Sequence, residues 1–194
     1  MITRSDEHLM QALARQDMAA LGELVRRHQR FVWGVAYQFL SDASEAEDVA
    51  QETFLRLLKA APRYRPTASL RSYLFRIASR LAMDVGRRRQ RLQTEGSSPD
   101  TADVRATPSQ AASAHEDAAQ VRHALCRLPP RQQMAVIGKY FEQMSYAEIA
   151  AAMKVSTKAI ERILDRARKR LATELRIDEV AAQATKERLV EEDA

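Results

Sequence analysis

The stretch Ser145–Leu171, SYAEIAAAMKVSTKAIERILDRARKRL, constrains the fold more than any other part of the chain. Ser145 and Glu148 stand at capping-box spacing, where each satisfies an orphan backbone donor of the other at a helix start. A short helix with Ala147, Ile149, Ala150 and Met153 then breaks at Lys154-Val155, and Ser156 supplies the N-cap of a second helix. The second helix repeats Ile160, Ile163, Leu164, Ala167 and Leu171 at steps of three and four. Lys158, Glu161, Arg162, Asp165, Arg166 and Lys169 occupy its other side, and Ser156–Leu171 holds six basic residues against two acidic ones. Two helices, a tight turn and a basic outer face read as a helix-turn-helix whose second helix enters a DNA major groove. A helical hairpin with a solvated basic face has the same pattern, so the rest of the chain must decide.

With 194 residues, 45% hydrophobic content, five Gly and few aromatics, the chain can hold one domain of ordinary size or two small ones, helical rather than a β-sandwich. Cys126 is the sole cysteine, which excludes a disulfide framework and a Cys-rich zinc site; beside Val121, Leu125 and Leu128 it reads as a small packing residue. None of the four histidines follows a Glu at the i+3 spacing of bundle di-metal sites, so no metal is expected. No carboxylate or His/Cys cluster stands beside a nucleophile, which argues against an enzyme, and no cofactor is expected. Neither a membrane-length apolar run nor a signal-peptide core is present, and the expectation is a soluble, cytoplasmic protein.

From the N-terminus, Leu9, Ala12 and Leu13 mark one helix. Leu21, Leu24, Val25, His28, Phe31, Val32, Val35, Ala36 and Phe39 mark a second, with Trp33 and Tyr37 expected in the core. Ser44 and Glu47 form a second capping-box pattern, opening a helix to about Ala60 with Val49, Phe54, Leu57 and Leu58 inward. Ser41–Glu52 carries five acids and no base. Acids in a first turn favour the helix dipole, which accounts for Glu45, Glu47 and Asp48 but leaves Glu52, two turns in, without a role.

The loop PRYRPTAS, Pro62–Ser69, centres on Tyr64 and leads into a helix from Leu70 to about Val85, with Gly86 as its expected C-cap. Arg63–Arg91 holds nine basic residues against one acid. A basic loop with an aromatic at its centre suits single-stranded nucleic acid, since arginines track phosphates while a ring stacks on a base. Residues 92–117 are rich in Ser, Thr, Ala, Asp and Pro, with one base against five acids, and read as a flexible linker. Beyond it come a helix from Ala118 with Val121, Leu125 and Leu128, then a helix opened by Pro130 with Met134, Ile137, Tyr140 and Phe141 on its apolar face.

At this point the chain closely resembles the bacterial extracytoplasmic-function (ECF) sigma factors. The matching stretches are DEHLMQALARQDMAALGELVRRH, AEDVAQETFLRLL, RYRPTASLRSYLFRIASRLAMD with its arginine run, and LPPRQQMAVIGKYFEQMSYAEIAAAM with the helix that follows. The resemblance implies an all-α fold: a region 2 domain over residues 1–91, a linker over 92–117, a region 4 domain over 118–175, and a tail over 176–194. It implies a non-catalytic factor that directs core RNA polymerase to promoters and is held by an anti-sigma factor. Asp48, Gln51, Glu52 and Leu55 fall where the family docks on the polymerase clamp helices, which gives Glu52 a partner. Tyr64, Arg65, Arg76, Ile77, Arg80, Arg87 and Arg88 fall on the minus-ten surface, and Thr157, Lys158, Glu161, Arg162 and Arg166 on the minus-thirty-five reader. The chain departs from the common pattern at Arg80, often Asn, at Lys154, often Gly, and at Glu161, often basic. The competing reading is a free-standing helix-turn-helix regulator that binds duplex without polymerase; the acidic helix and the Tyr64 loop argue against it.

Overall fold

The fold comes from a computed structural model describing residues 4–95 and 120–192, and every structural statement below concerns those residues. The N-terminal unit comprises α1 (Asp6–Ala14), α2 (Met18–Leu40), α3 (Ala43–Ala60), a 3-10 turn at Ala61–Arg63 and α4 (Leu70–Glu95). The C-terminal unit comprises α5 (120–126), α6 (Pro130–Val136) running into a π-helical turn (Ile137–Phe141), α7 (Tyr146–Met153) and α8 (Thr157–Glu192). No strand occurs among the described residues, in agreement with the all-α expectation.

Helix starts follow local chemistry. Ser5 caps α1 and Asp17 caps α2, each side-chain oxygen accepting from backbone amides of the first turn. The start of α3 corrects the sequence reading: Asp42, not Ser44, is the cap, with its carboxylate accepting from the Glu45 amide at 2.9 Å. Asp42 wins because it lets α3 begin at Ala43 and bury Ala46 as well as Val49. Gly86 likewise does not end α4, which continues to Glu95. No glycine has a positive φ, and the run Arg87–Arg91 consists of good helix formers that outweigh one glycine's cost of about 1 kcal/mol. The linker expected from residue 92 therefore begins inside helix, and its span from 96 to 117 lies outside the described residues.

Leu24, Val32, Val35 and Ala36 on α2 meet Leu57 on α3 and Leu74 on α4, all essentially without solvent contact. In the C-terminal unit Leu125, Leu128, Met134, Ile137, Ile149, Ile160, Leu164 and Ala167 form the corresponding centre. The two centres are continuous, because α4 packs on α7 and α2 on the π-helical turn. Phe75, wholly buried on α4, lies 6.5 Å from the Phe31 ring and faces Gly138.

Several side-chain placements differ from expectation. Trp33 is 37% exposed and stacks at 4.9 Å on Tyr37, which is half-buried against the core as expected, since Phe31, Val32 and Val35 already fill the inner face. Tyr140 and Phe141 are exposed because the π-helical turn rotates them off the stripe carrying Met134 and Ile137. Val121 is also exposed, whereas Leu125 and Leu128 are buried.

Candidate nucleic-acid interface

The helix-turn-helix has the anticipated form. Ser145 and Glu148 make the reciprocal capping box, and the Ala159 amide donates to Ser156 Oγ at the start of α8. Lys154 ends α7 in the left-handed region, φ 54° and ψ 49°, where a side chain is strained and Gly is not. Lys154→Gly is expected to raise thermal stability by about 0.5–1 kcal/mol, the left-handed strain removed less the chain entropy glycine adds. A melting temperature that stays level or falls would contradict it.

On α8, Ile160, Leu164 and Ala167 seat the helix, leaving Thr157, Lys158, Glu161, Arg162 and Arg166 exposed along its outer side. Asp165 pairs with Arg168 at 3.0 Å, and Arg168 also donates to the Tyr140 hydroxyl at 3.0 Å. That pair holds the flank of the helix away from the reading face. Lys158, Arg162 and Arg166, at steps of four, present three cations to a groove or to phosphates.

The second surface is a cleft of about 450 Å³ between the end of α3, the Tyr64 loop and the start of α4. Tyr64, Arg65 and Arg76 line it, as the sequence suggested. Arg56, Lys59, Arg63 and Tyr73 line it too, and sequence reasoning passed over them. Tyr64 stands edge-on to Tyr73 with centroids 5.2 Å apart, and the Arg76 guanidinium sits 5.0 Å from the Tyr73 ring centre. Tyr73 thereby props Tyr64 on one side and Arg76 on the other. Partial burial pushes the Tyr64 hydroxyl's pKa up, so the phenol stays neutral. Arg80, Arg87 and Arg88 are exposed further along α4, outside the cleft lining, and Ile77 is half-buried beside Arg76. A cleft floored by two tyrosines and ringed by cations accommodates a base with its flanking phosphates.

The signal for the missed cations was in the text of α3. Arg56 and Lys59 follow the acidic turn on the same helix, and the change from acid to base along it marks two different surfaces.

The third surface is the outer stripe of α3. Asp48, Gln51, Glu52 and Leu55 stand at helical steps of three, one and three, so they share one face. Asp48 and Gln51 are exposed, and Leu55 is 49% exposed. Glu52 accepts from Arg56 Nε at 2.8 Å, and this bond holds its carboxyl below the usual carboxylate range. The charge available at Glu52 is therefore partly shared with a cation of the neighbouring cleft.

No group of three His, Cys, Asp or Glu among the described residues is placed to hold a metal ion, and no described helix is long and apolar enough to cross a membrane. Cys126, expected as a packing residue, is instead exposed at the rim between the units; its thiol points at the Phe39 carbonyl oxygen 3.9 Å away, and partial burial pushes its pKa up.

Residues 24–92 match the sigma-70 region 2 family, and residues 118–171 match the sigma-70 region 4 family. The chain is 33% identical to the ECF RNA polymerase sigma factor SigE of Mycolicibacterium smegmatis over 81% of its own length, and spans 63% of that protein. It is 31% identical to the RNA polymerase sigma factor NccH of Alcaligenes xylosoxydans, covering 90% of this chain and 97% of that one. Among solved structures, CnrH in complex with the cytosolic domain of CnrY superposes with a TM-score of 0.68 at 26% identity, over 89% of this chain and 98% of that one. The sigma factor RpoE of Bartonella quintana shares the fold at a TM-score of 0.61 and 24% identity, over 81% of this chain and 97% of that one.

Proposed function

The chain belongs to the ECF sigma factors of bacterial RNA polymerase, and on that premise we propose that it binds core polymerase through α3 and reads two promoter elements with its two helical units. In this reading Asp48, Gln51, Glu52 and Leu55 dock on the polymerase. The exposed leucine beside two carboxylates supports that role, because an apolar centre flanked by acids suits a basic helical partner. The α8 side chains Thr157, Lys158, Glu161, Arg162 and Arg166 read the minus-thirty-five element as duplex. Glu161 accepts from a cytosine amino group, and the three cations hold guanine edges or phosphates.

The single observation that carries the melting role is the Tyr64–Tyr73 pair at the floor of a cation-lined cleft. Extruding a base from a duplex costs a few kcal/mol, and stacking in such a cleft offsets that cost. Promoter opening would then be driven by binding alone, with no catalytic step in this chain. Arg56, Lys59 and Tyr73 join Tyr64, Arg65, Arg76, Ile77 and Arg80 on this surface, with Arg87 and Arg88 holding phosphates beyond it. The reading places the protein in the cytoplasm with the polymerase, under control of an anti-sigma factor. The neighbour CnrH, solved with the cytosolic domain of CnrY, is in line with such a partner.

Gel filtration of the purified protein with core polymerase tests the reading. A stoichiometric complex is expected, and it should open promoter DNA that neither component opens alone. Separate elution at micromolar concentrations would overturn it.

A further inference from the structure

The cleft beside Tyr64 carries more positive charge than one promoter nucleotide can use. Arg56, Lys59, Arg63, Arg65 and Arg76 line it, and no acid does so among the described residues. Glu52, outside the lining, pairs with Arg56 at 2.8 Å, so the cleft sets five cations against that one carboxylate. A nucleotide within a DNA strand brings a single phosphate charge of its own.

The charge is also placed unevenly. Arg56, Lys59 and Arg63 follow at steps of three and four along the end of α3 and the 3-10 turn, so they form one wall. The rings of Tyr64 and Tyr73, 5.2 Å apart, come from the loop and α4 and form another. A DNA strand threads phosphates past both sides of a base, whereas a free nucleotide carries all of its phosphates at one end. A cleft with an aromatic wall and a cationic wall matches the free nucleotide. Its volume of about 450 Å³ lies within the roughly 300–1,000 Å³ usual for small-molecule sites. The lining holds no Asn, Gln, Asp or Glu to make the paired hydrogen bonds that tell one base edge from another. Thr67 adds a hydroxyl suited to a ribose or phosphate oxygen. Stacking accepts every base, and purines offer it the larger face.

We propose that this cleft also binds free purine nucleoside triphosphates, with the base on the Tyr64–Tyr73 side and the phosphates along Arg56, Lys59 and Arg63. Binding is non-covalent, and no bond of the nucleotide is broken. The inference deepens the function proposed above, because a free nucleotide and an extruded promoter base compete for the Tyr64 ring. Promoter opening by this protein then falls as the nucleotide pool rises, a regulation that needs no second protein.

Calorimetry on the full chain, without polymerase or DNA, tests the site with ATP, adenosine and inorganic tripolyphosphate at one ionic strength. ATP should bind at least about tenfold tighter than either of the others, the worth of one base stack or of the charge-assisted phosphate contacts. Tyr64→Ala should weaken ATP to the level of tripolyphosphate and leave tripolyphosphate unchanged. Lys59→Gln combined with Arg63→Gln, both exposed, should weaken the two polyanions alike by about tenfold. Arg30→Gln, exposed on α2 and outside the cleft lining, should change neither. Should Tyr64→Ala fail to fold by circular dichroism, Tyr64→Leu keeps apolar bulk without a ring and carries the same comparison. Tripolyphosphate binding as tight as that of ATP would reduce the cleft to a surface for any polyanion and overturn the proposal. ATP binding that loss of the Tyr64 ring leaves unchanged would overturn it too. The test also separates this inference from the function it rests on. If ATP binds as expected and Tyr64→Ala still opens promoters normally, the melting role falls and the nucleotide site stands. If ATP does not bind while Tyr64→Ala is defective in opening, the nucleotide site falls and the melting role stands.

Discussion

Reversing Asp48 and Glu52 together to Lys is expected to weaken core polymerase binding by a hundredfold or more, while the domain stays folded. Both side chains lie on the outer stripe of α3 and contribute nothing to the buried centre, which Val49, Phe54 and Leu57 fill. Placing cations opposite a basic partner costs several kcal/mol, and each 1.4 kcal/mol is a factor of ten. The cost to the fold is small by comparison. Glu52→Lys loses the exposed Arg56 ion pair, worth a few tenths of a kcal/mol, and sets like charges one turn apart for a similar penalty. Pull-down at moderate salt and circular dichroism measure the two quantities. Unchanged binding by a folded variant would remove the docking assignment from α3.

Tyr64→Ala and Arg166→Ala should fail at different steps. Tyr64→Ala removes the ring over the cleft but touches nothing on α8, so duplex carrying only the minus-thirty-five element should bind as before. Open-complex formation should lose about 1–3 kcal/mol, the worth of one base–aromatic stack. Arg166→Ala should weaken the duplex step itself, by about 1–3 kcal/mol if the guanidinium reads a guanine, or with a shallower salt slope if it holds only phosphate. A template melted in advance at the minus-ten region should rescue Tyr64→Ala in part, because the opening cost has been removed, and should not rescue Arg166→Ala. Permanganate footprinting and gel shifts follow the two steps. Failure of both variants at one step would collapse the division of labour between the units.

Much of this was legible in the sequence, and the limits have physical causes. The helix-turn-helix could be read because the capping box, the break at Lys154-Val155 and the Ser156 N-cap are local signals. Helical spacing puts Asp48, Glu52 and Leu55 on one side of α3, but a docking role for that side came only from the family resemblance. The boundary errors came from competition between comparable signals. Asp42 and Ser44 are both good caps, and the choice was made by burial of Ala46. Gly86 was read as a stop, yet α4 crosses it.

Tertiary arrangement accounts for the rest. Periodicity said that α2 has an apolar face, but not that Trp33 would be left outside it. Tyr73 entered the cleft only through the meeting of the Tyr64 loop and α4. The packing of one unit on the other was invisible for the same reason, since Phe31, Phe75 and Gly138 lie far apart in sequence and meet only in the fold.

The most direct measurement is the mapping of transcript 5′ ends made by core polymerase with and without the purified protein. The account predicts new starts that appear only with the protein, each preceded by the same two sequence elements at one fixed spacing. It also predicts that those starts vanish with the Asp48 and Glu52 reversal. No new starts over core polymerase alone, from a protein that still retards duplex by itself, would instead mark a free-standing regulator and contradict the account.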